Sequence, residues 1–244
     1  MTDAFETATV GEIVATDFRT AAVLEAFGID FCCGGRRPLV DACHSAGVDP
    51  AKVIRELQQL ARSPRGDDDA AAWPLDRLID HIVTVHHAYV RQALPTIARY
   101  LAKLREVHGQ RHPELARVAQ VFSAMHDELS QHMLKEEQVL FPYIRDLLEP
   151  DRRGSSGVQS PFGTVEDPIR MMEREHQEAA DALRTIRTLT GGYVAPADGC
   201  TTYQVRMAEL DRFERDLHRH VHLENNVLFP RAVALESSRW RLHA

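Results

Sequence analysis

Two segments of this chain repeat one another. His132-Met133-Leu134-Lys135-Glu136-Glu137-Gln138-Val139-Leu140-Phe141-Pro142 and His220-Val221-His222-Leu223-Glu224-Asn225-Asn226-Val227-Leu228-Phe229-Pro230 both read His-x3-Glu-x2-Val-Leu-Phe-Pro, at an offset of 220 − 132 = 88. A fainter echo joins His87, followed by Ala93-Leu94, to His176, followed by Ala182-Leu183, at 176 − 87 = 89. Self-similarity at a fixed period means two copies of one supersecondary unit. Any fold proposed for the chain must place two such units against each other.

The pattern of apolar residues says what the unit is. Leu75, Ile79, Ile82, Val83, Val90, Leu94, Ile97 and Leu101 recur at helical spacing, predicting a helix from about Leu75 to Val107. A second opens at Pro113 and carries Leu115, Val118, Phe122, Met125 and Leu129 toward Leu148. A third opens at Asp167-Pro168 with Ile169, Met172, Ala179, Leu183 and Ile186, and a fourth runs from about Thr202 to Leu235 with Met207, Leu210, Phe213, Leu217, Val221 and Leu228. No β-hairpin signal interrupts them. Amphipathic helices of this number and length predict an antiparallel four-helix bundle made of two helical hairpins.

Residues 1–62 read as a separate small helical domain. Thr20–Phe27 is closed by Gly28, Pro38–Ala46 by Gly47, and Asp49-Pro50 caps a stretch with Val53, Ile54, Leu57 and Leu60 at helical spacing. Residues 63–73 form a polar, acidic linker, and the bundle occupies residues 74–244. The fold expected is therefore all-α.

Composition narrows the class. A net charge of −7 argues against nucleic acid or an anionic membrane as partner. No window offers the ~18 apolar residues that a membrane helix needs, and the first twenty residues hold Asp3, Glu6, Glu12 and Asp17 without an apolar run, so no signal peptide is read. Four cysteines in 244 residues make no disulfide framework. A cytoplasmic protein with reduced thiols is expected. The unusual number is histidine, thirteen of them, many inside apolar segments.

Geometry gathers some of these histidines. Residues equidistant from the turn of an antiparallel pair lie at one height. The midpoints of 87 and 132, of 132 and 176, and of 176 and 220 fall at Gly109-Gln110, Gly154 and Asp198, all on segments read as helix breaks. His87, His132, His176 and His220 should thus share one layer. Positions i and i+4 share a helix face, so Glu136 points with His132 and Glu224 with His220, in line with the apolar stripes. A lone His-x3-Glu is ordinarily a solvated pair, and a lone core histidine is ordinarily satisfied by a carbonyl. Two copies at matching heights, with a histidine on each remaining helix, point instead to a cation, because a carboxylate facing a core without compensation costs several kcal/mol. A histidine and carboxylate set suits iron, zinc or manganese. On the first helix, periodicity mildly prefers His86 and the repeat prefers His87; we take His87 and keep His86 as the alternative. His108 is too far along its helix to join, and His126, His218 and His222 read as surface residues.

These residues resemble the hemerythrin-like di-iron domain, and the whole chain resembles the iron–sulfur cluster repair di-iron proteins. That resemblance is carried by Thr9-Val10-Gly11-Glu12, Asp30-Phe31-Cys32-Cys33-Gly34-Gly35, Cys200-Thr201-Thr202 and Glu224-Asn225-Asn226-Val227-Leu228-Phe229-Pro230-Arg231. It implies two non-haem iron ions, oxo- or hydroxo-bridged, with His87, His132, His176 and His220 as terminal ligands and Glu136 and Glu224 as bridges. It implies a role in restoring iron–sulfur clusters after nitrosative or oxidative damage, by iron donation or by binding and reducing nitric oxide. Damaged iron–sulfur proteins would be its partners, and nitric oxide or dioxygen its small ligands. The rival is a nitric oxide or dioxygen binding protein without a repair role. Nitric oxide reductase-type turnover and a homodimer stay open. Respiratory hemerythrins resemble this chain but carry a fifth histidine where Ala180 stands here, which leaves more of the iron's positions open.

Cys32 and Cys33 read as a redox-active or nitrosation-sensitive thiol pair, with Gly34 and Gly35 shaping the turn. Cys43 and Cys200 read as core cysteines. Tyr143, Tyr203 and Glu137 are the residues expected to support the ligands from behind.

Overall fold

The computed structural model describes residues 3–62, 70–149 and 162–243. They are helical apart from turns and an isolated antiparallel bridge between Thr9 and Pro38. No helix among the described residues is long and apolar enough to cross a membrane. Most of the expected linker (63–69) and the expected Gly154–Gly157 loop lie outside the described residues. The chain packs as two compact units, one of residues 1–79 with 219–244, the other of residues 80–218.

The first unit begins with α1 (Asp3–Thr7), α2 (Val10–Thr16), α3 (Thr20–Ala26), α4 (Leu39–Ser45) and α5 (Pro50–Ala61). Local chemistry sets most of their ends. Before α2, the Thr9 hydroxyl accepts the Glu12 N–H at 3.3 Å while Glu12 Oε2 accepts the Thr9 N–H at 2.8 Å, a reciprocal capping box. After α3 and α4 the chain turns at Gly28 and Gly47, both at φ +69°, a region costly for any residue with a Cβ. Asp49 caps α5 by accepting the Ala51 N–H at 3.0 Å, with Pro50 at the first helical position. Val10, Val14, Leu24, Leu39, Leu57 and Cys43 are fully buried. Each such leucine contributes ~2 kcal/mol of apolar burial. A short 3-10 turn, Ala70–Ala72, is held by Arg231, which donates to the carbonyls of Ala71 and Trp73 at 3.2 and 2.8 Å.

The second unit is the antiparallel four-helix bundle. α6 (residues 75–108) contributes from Asp80 onward, followed by α7 (residues 114–148), α8 (Glu166–Leu189) and the first part of α9 (residues 201–243). The expected breaks at Gly109 and near Asp198 both separate helices. The predicted stripes line the core. Leu94 and Leu101 of α6, Val118, Phe122 and Met125 of α7, Met172, Leu183 and Ile186 of α8, and Leu210 and Phe213 of α9 are all buried. Phe122 meets Phe213 edge-on at 5.8 Å between ring centroids, a favoured aromatic geometry.

Candidate metal centre

Among the described residues three helices are interrupted by a π turn, and each of these turns holds one candidate ligand. α6 carries one at Ile82–His87, α7 at Glu136–Leu140 and α9 at Leu223–Leu228. His87 ends the first, Glu136 opens the second and Glu224 is second in the third. Such turns are rare and concentrate at functional sites. In α7 and α9 the cause is legible. Pro142 and Pro230 have no N–H to give the carbonyl four residues back, and their rings would clash with it in a regular helix. The wider turn absorbs both effects, so the repeated Phe-Pro marks where each helix loosens.

Within the bundle unit, four buried side chains converge. His87 Nε2 and His132 Nε2 each lie 3.3 Å from Glu136 Oε2, and His176 Nε2 lies 2.9 Å from His132 Nε2. His132, Glu136 and His176 each offer a ligand atom within 4.8 Å of the others. All four residues are at most 1% exposed. The far sides of two rings are tied down. His87 Nδ1 is 2.6 Å from Glu137 Oε1, and Arg91 also donates to Glu137. His132 Nδ1 is 2.9 Å from Glu175 Oε2, and Lys135 also donates to Glu175. The Glu175 carboxyl is held down to about 2, chiefly by the hydrogen bond from His132, with Lys135 adding to it and burial opposing. A carboxylate behind each ring takes the proton side of Nδ1, so Nε2 faces inward as a lone pair. His87 also stacks on Phe141 at 5.8 Å.

In the other unit, His220 Nε2 lies 3.1 Å from Glu224 Oε1, with both residues at most 1% exposed. This is the same i, i+4 arrangement that His132 and Glu136 make. A fully buried carboxylate among imidazole lone pairs is the donor set of a cation site. Mixed nitrogen and oxygen donors of intermediate softness fit iron, zinc or manganese.

Comparison with known proteins bears on the same residues. Residues 78–232 match the family model for the hemerythrin HHE cation-binding domain. Residues 6–61 match a second model, ScdA_N, a domain of unknown function. The iron–sulfur cluster repair protein YtfE of Enterobacter sp. (strain 638) is 35% identical over 233 residues, 96% of this chain and 100% of that protein. The YtfE protein of Escherichia coli O157:H7 is 34% identical over 227 residues, covering 93% and 97%. That of Salmonella newport (strain SL254) is 36% identical over 228 residues, again 93% and 97%. The chain belongs to the YtfE family of iron–sulfur cluster repair proteins.

The sequence expectations for this family member meet mixed outcomes. His87 is the residue that meets Glu136. His86, the alternative, is buried elsewhere, with Nδ1 3.1 Å from Asp216 Oδ1 and its ring edge-on to His81. The π turn Ile82–His87 shifts the helix face by one residue, which a fixed period of 3.6 cannot anticipate. His222, expected at the surface, is 2% exposed. Its ring packs against Phe18 and Phe31, with centroids 5.6 and 6.0 Å away, and burial, with Arg219 nearby, pushes its imidazole down to about 3. Cys200, expected in the core, is exposed just before α9, with Sγ 3.6 Å from His108 Nε2. Cys43 is buried as expected. Of the expected supporting residues, Glu137 backs His87, whereas Tyr143 packs against Phe162 and Tyr203 against His108 and His112. Sequence reasoning missed Glu175. Its only sequence signal is an acid beside His176, whereas its partner His132 lies on another helix.

Proposed function

We propose that this chain is a non-haem di-iron protein that restores iron–sulfur clusters damaged by nitrosative or oxidative stress. The observation that carries this reading is the buried set of His87, His132, Glu136 and His176, with Nε2 atoms turned inward and Glu137 and Glu175 behind two of the rings. In this reading His220 and Glu224 complete the set. The support is the repeat, which gives them the same spacing as His132 and Glu136 and an equal distance from the intervening breaks. The four histidines then serve as terminal ligands and the two glutamates as bridges, with an oxo or hydroxo group between the ions. The near full-length likeness to cluster repair proteins supports the role.

Residues 1–62 are a module of their own in this proposal, and residues 74–244 are the metal-binding domain. The separate matches to residues 6–61 and 78–232 favour that division. Bound iron would supply one-electron redox chemistry and a coordination position for a small ligand such as nitric oxide. The chain's own part is to orient the imidazoles, through Glu137 and Glu175, and to bury the donors from water. Ala180 brings no ligand atom where respiratory hemerythrins place a histidine. The protein thus holds its metal with fewer bonds, which favours donation to a client over permanent storage.

The test is purification without oxygen and measurement of iron per chain. Transfer is then assayed to an iron–sulfur protein whose cluster has been nitrosylated or removed. About two irons per chain and recovery of the client are expected, both lost in Glu136→Ala and in His220→Ala. Full iron retention in both variants, or a client that never recovers, overturns the reading. Gas analysis for nitrous oxide in the same anaerobic mixture separates turnover of nitric oxide from stoichiometric donation.

A further inference from the structure

A second group of ligand-type side chains, none of them among the histidines and glutamates above, lies in the first unit. Asp30, Cys32 and Cys33 each offer a ligand atom within 4.8 Å of the others. Cys32 Sγ is 3.3 Å from Asp30 Oδ1 and 3.8 Å from Cys33 Sγ. Both thiols are free. A disulfide would need the sulfurs at about 2.04 Å. Two thiolates on one tetrahedral ion, each bonded at ~2.3 Å, stand about 3.8 Å apart. The observed separation matches that spacing and is too long for a disulfide.

The loop is held in this shape from several sides. Asp30 Oδ1 accepts the N–H groups of Cys32 and Cys33 at 3.1 and 3.0 Å. The Asn225 side chain donates to the Cys32 carbonyl at 3.2 Å, and Asn226 donates to the Phe31 carbonyl at 3.0 Å. A Cβ on Gly34 would stand 2.7 Å from the Asp30 carbonyl oxygen, so the tight turn needs glycine there. Burial is graded across the group. Cys32 is buried, Cys33 half-buried and Asp30 exposed, which leaves an approach from solvent.

We propose that Asp30, Cys32 and Cys33 form a second cation site, for a thiophilic dication of the zinc class, held by two thiolates and a carboxylate with water completing the shell. Binding exchanges the two thiol protons for the ion and releases them to solvent. No electron moves and no oxidant is needed. Thiolate sulfur selects such soft or borderline ions over the hard magnesium and calcium. The Cys32 thiol itself is held well above its ordinary value by the neighbouring Cys33 thiol, by burial and by Asp30. Ionising it beside Cys33 and Asp30 crowds negative charge, which a bound dication would offset.

Cadmium is the probe, because its thiolate complexes absorb in the ultraviolet and the histidine–carboxylate centre contains no sulfur. The full-length, iron-loaded protein is titrated with Cd2+ while its iron content is followed. A thiolate-to-cadmium band saturating at one equivalent is expected, with iron unchanged. Cys33→Ser and Cys32→Ser should each abolish the band, and Asp30→Asn should weaken binding severalfold. The Cys43→Ser/Cys200→Ser double variant should keep the band whole. Circular dichroism checks that each variant is folded; should Cys32→Ser unfold, the half-buried Cys33→Ser carries the comparison. Absence of the band, its persistence in Cys33→Ser, or its loss in the Cys43→Ser/Cys200→Ser variant overturns the proposal.

Discussion

His132 and Glu175 sit on neighbouring helices with Nδ1 and Oε2 2.9 Å apart, and this one contact decides which nitrogen of His132 faces inward. Glu137 does the same for His87 at 2.6 Å. Carboxylates behind ligating histidines fix the tautomer and raise ligand basicity, and their loss ordinarily costs ~10–100-fold in metal affinity. Glu175→Ala and Glu137→Ala should each lower iron affinity within that range, measured by competition with a chelator under nitrogen. Glu175→Gln keeps an oxygen that accepts from Nδ1 and should recover part of the loss. Unchanged affinity in both alanine variants would show that the rings are oriented by something else.

Cys200 gives a prediction about reactivity. Its thiol value is lowered from the ordinary one, first by the Tyr203 N–H and then by the Thr202 N–H, at the start of α9. Cys43 is shifted the other way, mainly by burial. The thiolate is the nucleophile, so iodoacetamide should label Cys200 well before Cys43 in the folded protein. The pH midpoint of its labelling rate should lie below the ~8.5 of a free thiol. Mass mapping of the labelled peptides, with Cys200→Ser as control, reads this directly. A midpoint at or above the free value would contradict the geometry.

Much of this architecture is legible in the sequence because period and repeat are properties of the chain alone. The stripes from Leu94 to Leu101 and from Phe122 to Leu129 need no tertiary information. The repeat selected His87 where periodicity preferred His86, because both copies of a unit must place the same atom at the same height. What stayed hidden depends on contacts across elements. A π turn changes the face of α6 by one residue without a proline to announce it, unlike those in α7 and α9. His222 is buried because Phe18 and Phe31, from the turns on either side of α3, cover it. Glu175 became a partner of His132 only once two helices were side by side. Cys200 follows Gly199 and precedes Thr201-Thr202, a helix-start signal that places it at the surface instead of in the core.

The capping box before α2 makes stability depend on pH in a stated direction. The Thr9 N–H, and then the Thr9 hydroxyl, lower the Glu12 carboxyl from its ordinary value. A group with a depressed folded value stabilises above its unfolded value of ~4.3 and loses that contribution as pH falls through the folded value. The difference in unfolding free energy between the native chain and Glu12→Gln should therefore be level from about pH 6 to 8 and close below about pH 4. Glu12 faces solvent, so the difference is small. Urea midpoints across the pH series measure it, and a gap that widens on acidification would reverse the assignment.

Gly35 and Asn226 provide the last test, on how the double-cysteine loop is pinned. A Cβ added to Gly35 would collide with the Asn226 carboxamide. That carboxamide donates to the Phe31 carbonyl at 3.0 Å and contacts His222 Nδ1 at 3.1 Å. Gly35→Ala must push it aside and strand those partners, at a cost of ~1–3 kcal/mol. Asn226→Ala alone loses the same hydrogen bonds. The two losses share one cause, so the double variant should be little worse than Asn226→Ala, with a coupling energy of about 1 kcal/mol or more. Chemical denaturation of the four proteins closes the cycle. Simple additivity would mean that Gly35 is required for its backbone and not for the room it leaves Asn226.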